Sequence, residues 1–201
     1  MTKIAIIDYG LGNLRSVFRG IEKAGARPII THDPDEIRSA DGIILPGVGA
    51  FSEGMGRLSP IRQCLLSVAR DLPLLGICLG MQMLMDESEE HGNHKGLSLI
   101  PGHVRKFQPQ PGMKVPHMGW NTIHHAIPDD PLLSGIDEGS YVYFVHSYYV
   151  DCPAEYRLCE TIYGVSYSSA VKKDHIYGVQ FHPEKSGETG LLLLKNFIGI
   201  C

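Results

Sequence analysis

Short apolar runs at Lys3–Asp8, Arg27–Thr31, Gly42–Leu45 and Pro73–Ile77 alternate with segments of helical periodicity. Leu14, Val17, Phe18 and Ile21 share one face of Asn13–Ala24, which Gly25 ends. Met55, Leu58, Ile61, Leu65, Val68 and Ala69 form a stripe within Ser52–Arg70, read as one helix, and Leu79–Met85 reads as another. Strands joined by helix-length connections pair in parallel and are covered on both faces. The alternation therefore specifies an open α/β sheet with helices on both sides.

Past residue 86 the pattern changes. Segments 102–107, 115–123, 141–150, 158–163, 165–172 and 175–181 read as shorter strands, some in hairpins, with Asp174-His175 as a tight turn. Gly187–Ile200 reads as a closing helix. The expected architecture is a mixed, mainly parallel sheet, parallel at its centre and antiparallel at an edge. Glu87–Lys95, rich in acids and histidines, is expected to be a mobile surface loop. With 201 residues and 43% hydrophobic content, residues 1–201 are expected to form a single domain.

A net charge of −4 without a basic cluster argues against nucleic-acid binding. No apolar stretch approaches the roughly 20 residues that span a bilayer. Met1–Ala5 leads straight into a strand and lacks the layout of a signal peptide. Cys64, Cys78, Cys152, Cys159 and Cys201 are odd in number and show no C-x-x-C pair. They support neither a disulfide framework nor a zinc site, and a reducing, cytoplasmic setting is expected.

One cysteine differs from the others. Gly76-Ile77-Cys78-Leu79-Gly80 stands where a strand gives way to a helix, the layout of a nucleophile elbow. Flanking glycines allow a sharp turn and leave the sulfur open to approach. The positive end of the following helix favours thiolate, and the Leu79 N–H is free to hold an oxyanion. A buried structural cysteine is the alternative, and the other four cysteines are read that way. Farther on, His182-Pro183-Glu184 follows an apolar strand. Pro183 holds His182 extended, so that His182 and Glu184 face one side. Glu184 can then fix the tautomer of His182, which can take the thiol proton.

Leu45-Pro46-Gly47-Val48-Gly49-Ala50 also follows a strand and opens a helix. Its glycines suit a phosphate cradle or an oxyanion site, and it lacks the Lys-Ser/Thr ending of a P-loop. Gly10-Leu11-Gly12 is read as a turn, because Arg15 occupies the third glycine position of a dinucleotide fingerprint. His91 and His94 are read as solvated.

The elbow, the Pro46–Gly49 turn and the His182/Glu184 pair resemble the class I (triad) glutamine amidotransferases. Asp8–Val17, His117–Asn121, Tyr143–Tyr148 and Gly178–Ser186 are similar to the branch of that family serving histidine biosynthesis, and the likeness spans nearly the whole chain. The resemblance implies a flavodoxin-like sheet and hydrolysis of L-glutamine through a Cys78 thioester, without cofactor or metal. His182 would be the acid and base, oriented by Glu184. The oxyanion would lie on the N–H groups of Leu79 and of Gly47, Val48 and Gly49. Gln82 and the backbone near Ser147 and Tyr148 would hold the substrate. The chain ends soon after its last helix, so a separate (β/α)8-barrel cyclase subunit is expected to receive the ammonia in a heterodimer. Trp120 and Lys185 match positions at that interface. Stand-alone cysteine hydrolases on a similar sheet, and amidotransferase subunits of other pathways, are the competing readings.

Overall fold

Strand β1 (Lys3–Ile7) leads into α1 (Leu14–Lys23), β2 (Arg27–Thr31), α2 (Pro34–Arg38), β3 (Gly42–Leu45), α3 (Phe51–Leu58), α4 (Arg62–Val68), β4 (Leu74–Ile77) and α5 (Leu79–Met83), in a computed structural model that describes residues 1–201. There follow β5 (Glu87–Ser88), β6 (His94–Lys95), β7 (His103–Lys106), β8 (His117–Thr122), β9 (His124–His125), β10 (Tyr141–His146), β11 (Tyr148–Asp151), β12 (Arg157–Tyr163), β13 (Val165–Lys173), β14 (Ile176–Val179) and α6 (Gly187–Ile200).

The main sheet runs β2-β1-β3-β4-β14-β13-β11-β7-β5-β6. Strands β2, β1, β3, β4 and β14 are mutually parallel. From β14 onward β13, β11 and β7 pair antiparallel. The parallel strands thus fill one half of the sheet, out to the β2 edge, rather than its centre. Gly164, at φ +70°, turns β12 into β13, and Asp174, at φ +56°, turns β13 into β14.

The two-residue period of the parallel strands sorts their side chains into two cores. Ile4, Ile6, Ile44, Leu75 and Ile77 pack with Val17 and Ile21 of α1 and Leu193, Leu194 and Phe197 of α6. Ile7, Ile43, Leu45 and Leu74 face the other way, onto Ile37 of α2, Phe51 and Leu58 of α3, and Leu65 and Val68 of α4. Helices therefore cover both faces, as the alternating pattern requires. No helix is long and apolar enough to cross a membrane.

Several expectations are corrected. Ser52–Arg70 is not one helix, because a 3-10 turn at Ser59–Ile61 separates α3 from α4. Pro60 has no N–H to continue the ladder. Helix α2 adds an element that periodicity does not show, although its signals are local. Asp33 accepts from Asp35 N at 2.8 Å and Pro34 opens the first turn. Segment 87–95 is a pair of short strands at the sheet edge, with Ser88 buried. Segment 141–150 is two strands in different sheets: β10 pairs only with β8 in a separate ribbon, whereas β11 joins β7 and β13. The break falls at Ser147.

Candidate active site

The C-terminal ends of β3, β4 and β14 lie side by side, so their following loops converge. Cys78 follows β4 directly, and its N–H donates to Val179 O at the end of β14 (2.8 Å). Its backbone stands at φ +54°, ψ −109°, outside the regions an L-residue readily occupies. The strained residue is thus the cysteine itself, which aims its sulfur past the start of α5. The two flanking glycines serve close packing rather than the turn. A Cβ on Gly76 would lie 2.7 Å from Met81 N, and one on Gly80 only 1.8 Å from Leu45 O. Their absence lets α5 sit hard against β3 and β4.

His182 is extended, at φ −100°, ψ 96°, and its N–H donates to Tyr143 O at 2.9 Å. Ser186 Oγ braces the same junction, donating to His182 O at 2.7 Å and accepting from Tyr143 N at 3.0 Å. Nδ1 of His182 donates to Glu184 Oε1 at 2.9 Å. Both side chains are buried. Glu184 lies in a 3-10 turn, Pro183–Lys185. That turn, and not continued extended chain, brings it to the side of His182. Burial alone would lower the His182 pKa, but the Cys78 sulfur and the Glu184 carboxylate both favour its charged form and raise it to about 10. Nε2 is buried and has no partner that meets hydrogen-bond geometry, and His182 lines the same cavity as Cys78. An imidazolium held to pH about 10 can protonate a leaving amine throughout the neutral range. The alkaline limb of kcat/KM is therefore expected to fall only as pH rises through about 10. Glu184→Gln removes one raising charge and should move that limb to lower pH. A pH–rate profile of both proteins checks this, and an unmoved limb contradicts it.

Cys78 and His182 line a cavity of about 350 Å³ together with Val48, Gly49, Leu79, Gln82, Ser147 and Tyr148. Gly47 lies behind the wall: a Cβ there would meet Tyr9 Oη at 2.4 Å and Leu79 Cβ at 2.8 Å. Tyr9 Oη donates to Pro46 O at 2.7 Å and so pins the turn from beneath. Neither Val48 nor Gly49 donates its N–H to a backbone carbonyl, and Leu79 opens α5, where first-turn donors have no partner in the helix. Gly49 stands at φ +103°.

Four wall residues escape sequence reasoning: Pro116, Val145, Glu90 and His146. Glu90 reaches from the edge strands to accept from Phe51 N, the first residue of α3, at 2.6 Å. His146 lines the cavity, and its Nδ1 lies 2.8 Å from Tyr148 O. Burial drives the His146 pKa down to about 3, so its ring is neutral and Nδ1–H donates. Gln82 Nε2 donates to the same carbonyl at 3.1 Å. The Tyr148 carbonyl is thereby fixed from two sides. Glu90 carries no local signal, because it acts on a group 39 residues away, whereas His146 bonds a carbonyl only two residues on, across the break between β10 and β11.

Trp120 is 55% exposed on the β8–β10 ribbon. Its ring meets that of Tyr143 at 5.9 Å, and Lys185 Nζ lies 5.9 Å from the Tyr143 centroid. Trp120 and Lys185 therefore share one outward cluster. Gly10 and Gly12, at φ +83° and +120°, form the expected turn, which packs on Pro46.

The family model "Glutamine amidotransferase class-I" matches residues 5–200, and the chain belongs to that family. Curated relatives place it further. It is 54% identical to "Imidazole glycerol phosphate synthase subunit HisH" of Methanosarcina acetivorans, covering 100% of both chains. It is 46% identical to the protein of that name from Archaeoglobus fulgidus, covering 98% of each. A third, from Bacillus cereus, is 50% identical over 98% of this chain and 94% of the relative. Within the class, the chain falls in this HisH group. The fold is shared with the solved structure of PurLQS from Thermotoga maritima (TM-score 0.73, 18% identity, covering 98% of both chains). It is also shared with the glutaminase domain of Trypanosoma brucei CTPS, solved with acivicin (TM-score 0.71, 19% identity, covering 100% and 93%).

Proposed function

We propose that this chain is the glutamine-hydrolysing subunit of an imidazole glycerol phosphate synthase, acting in histidine biosynthesis in the cytoplasm. The observation that carries the proposal is the cavity in which Cys78 and His182 meet below the Val48-Gly49 turn. Cys78 thiolate attacks the carboxamide carbon of L-glutamine. The oxyanion forms beside the N–H groups of Leu79 and of the 47–49 turn. Collapse breaks the C–N bond, and the His182 imidazolium gives its proton to the departing ammonia. The now neutral imidazole takes a proton from water, whose oxygen attacks the thioester. Glutamate leaves, and thiolate and imidazolium return. Glu184 keeps the ring in the required orientation throughout.

Ammonia then passes to a separate (β/α)8-barrel cyclase subunit, docked on the face that carries Trp120 and Lys185. A reorientation of one peptide in 47–49 on docking would complete the oxyanion site. One such donor is worth about 10²–10³ in kcat. Glutaminase assays with and without a cyclase barrel test the proposal. A rise of about 10²-fold or more with the partner is expected, whereas equal rates refute the two-subunit reading. Trp120→Ala should weaken docking by about 2 kcal/mol, as truncation of a buried aromatic anchor does. Titration calorimetry reads that loss, and an unchanged Kd removes Trp120 from the interface.

A further inference from the structure

The Cys78 sulfur is met by a side chain outside the triad. Gln180 stands one residue past β14, fully buried, with its backbone N–H bonded to Ser169 O at 2.9 Å. Its Nε2 lies 3.6 Å from Cys78 Sγ. The orientation of this amide follows from its neighbours. The Tyr148 carbonyl can only accept, so the Gln82 nitrogen at 3.1 Å must donate to it. The second hydrogen of that nitrogen meets Gln180 Oε1 at 3.0 Å. The amino end of Gln180 is left to face the sulfur.

We propose that Gln180 is a further catalytic residue, whose side-chain N–H donates to the Cys78 sulfur and stabilises it as thiolate. The proposal rests on Cys78 being the nucleophile. A neutral thiol is a weak acceptor, and a buried amide hydrogen facing one is poorly satisfied. A thiolate turns the same contact into a charge-assisted hydrogen bond. The pair is matched only when the sulfur is charged. The sulfur carries that charge twice in the cycle: before attack, and again when water has added to the thioester and the breaking C–S bond returns its electron pair to sulfur. His182 and Tyr9 are the other titratable groups that feel the charge on the sulfur. His182 gives up its proton during the cycle, whereas an amide donor stays in place at every step.

The test is the rate of Cys78 alkylation by iodoacetamide across pH, mapped to the residue by mass spectrometry, alongside steady-state glutamine hydrolysis with the cyclase partner. Gln180→Glu keeps the shape and replaces the donor with an acceptor. It should slow Cys78 alkylation at neutral pH by about tenfold or more, the scale of a hydrogen bond to a charged group, move its pH midpoint upward, and lower kcat. Gln180→Leu should show the same alkylation shift. A Glu carboxylate would also disfavour thiolate by its own charge, so Gln180→Leu isolates the donor. A purely packing role predicts that the Leu variant loses stability with its alkylation profile unmoved, which also overturns the proposal. An unchanged alkylation profile in Gln180→Glu overturns the proposal, even if hydrolysis falls. If neither Gln180 variant folds, Gln82→Met, which frees the Gln180 amide to rotate, reads the same shift in alkylation, and its absence there overturns the proposal equally. Hydrolysis that survives Cys78→Ser would instead defeat the underlying assignment of the nucleophile.

Discussion

Cys78→Ser is expected to lower glutamine hydrolysis by at least about 10³-fold while the melting temperature stays within a few degrees. A serine hydroxyl in the same place is held by the same backbone. His182 can hydrogen-bond to it but cannot keep it ionised, so attack on a carboxamide loses its nucleophile. Activity within tenfold of wild type would remove Cys78 from the mechanism. Cys78→Gly separates chemistry from strain. At φ +54°, ψ −109°, a side chain works against the backbone, and relieving such strain returns about 1 kcal/mol. The glycine variant should therefore be inactive yet slightly more stable in urea denaturation.

The largest stability effect is expected at Gly80→Ala. The new Cβ would stand 1.8 Å from Leu45 O and 2.8 Å from Leu45 C, both backbone atoms of β3 that no rotamer change can move aside. Helix α5 would have to lift from the sheet, at a cost of about 3 kcal/mol, and the sulfur would lose its aim. The control has the opposite sign. Gly199 is an exposed residue of α6, and a Cβ added there would meet nothing within 4 Å. Gly199→Ala should therefore stabilise by about 0.5–1 kcal/mol. Urea midpoints compare the two, and a Gly80→Ala protein within about 1 kcal/mol of wild type would contradict the close packing of α5.

What could be read from the chain divides by range. The parallel strands and α6 were legible because their burial is written in local periodicity, and Gly42–Leu45 and Gly187–Ile200 occur with those bounds. That Cys78 and His182 line one cavity was legible because each follows a strand whose C-terminal end is forced to one edge. The break at Ser59-Pro60 was visible but overridden by an apolar stripe that runs on across it. The switch of sheets at Ser147 was not visible, since an alternating strand looks the same whichever partner it takes. Contacts such as Gln180 with Cys78 and Glu90 with Phe51 depend on how distant segments meet. No local pattern encodes them.

The backbone at Cys78 also bears on descent. A position that disfavours every L-side chain keeps one only while catalysis selects for it. In a lineage that lost the need to hydrolyse glutamine, drift would run toward glycine at position 78, because that change both relieves the backbone and removes a reactive thiol. The residue at this one site should therefore report, in any chain with the same elbow, whether the chemistry is still in use.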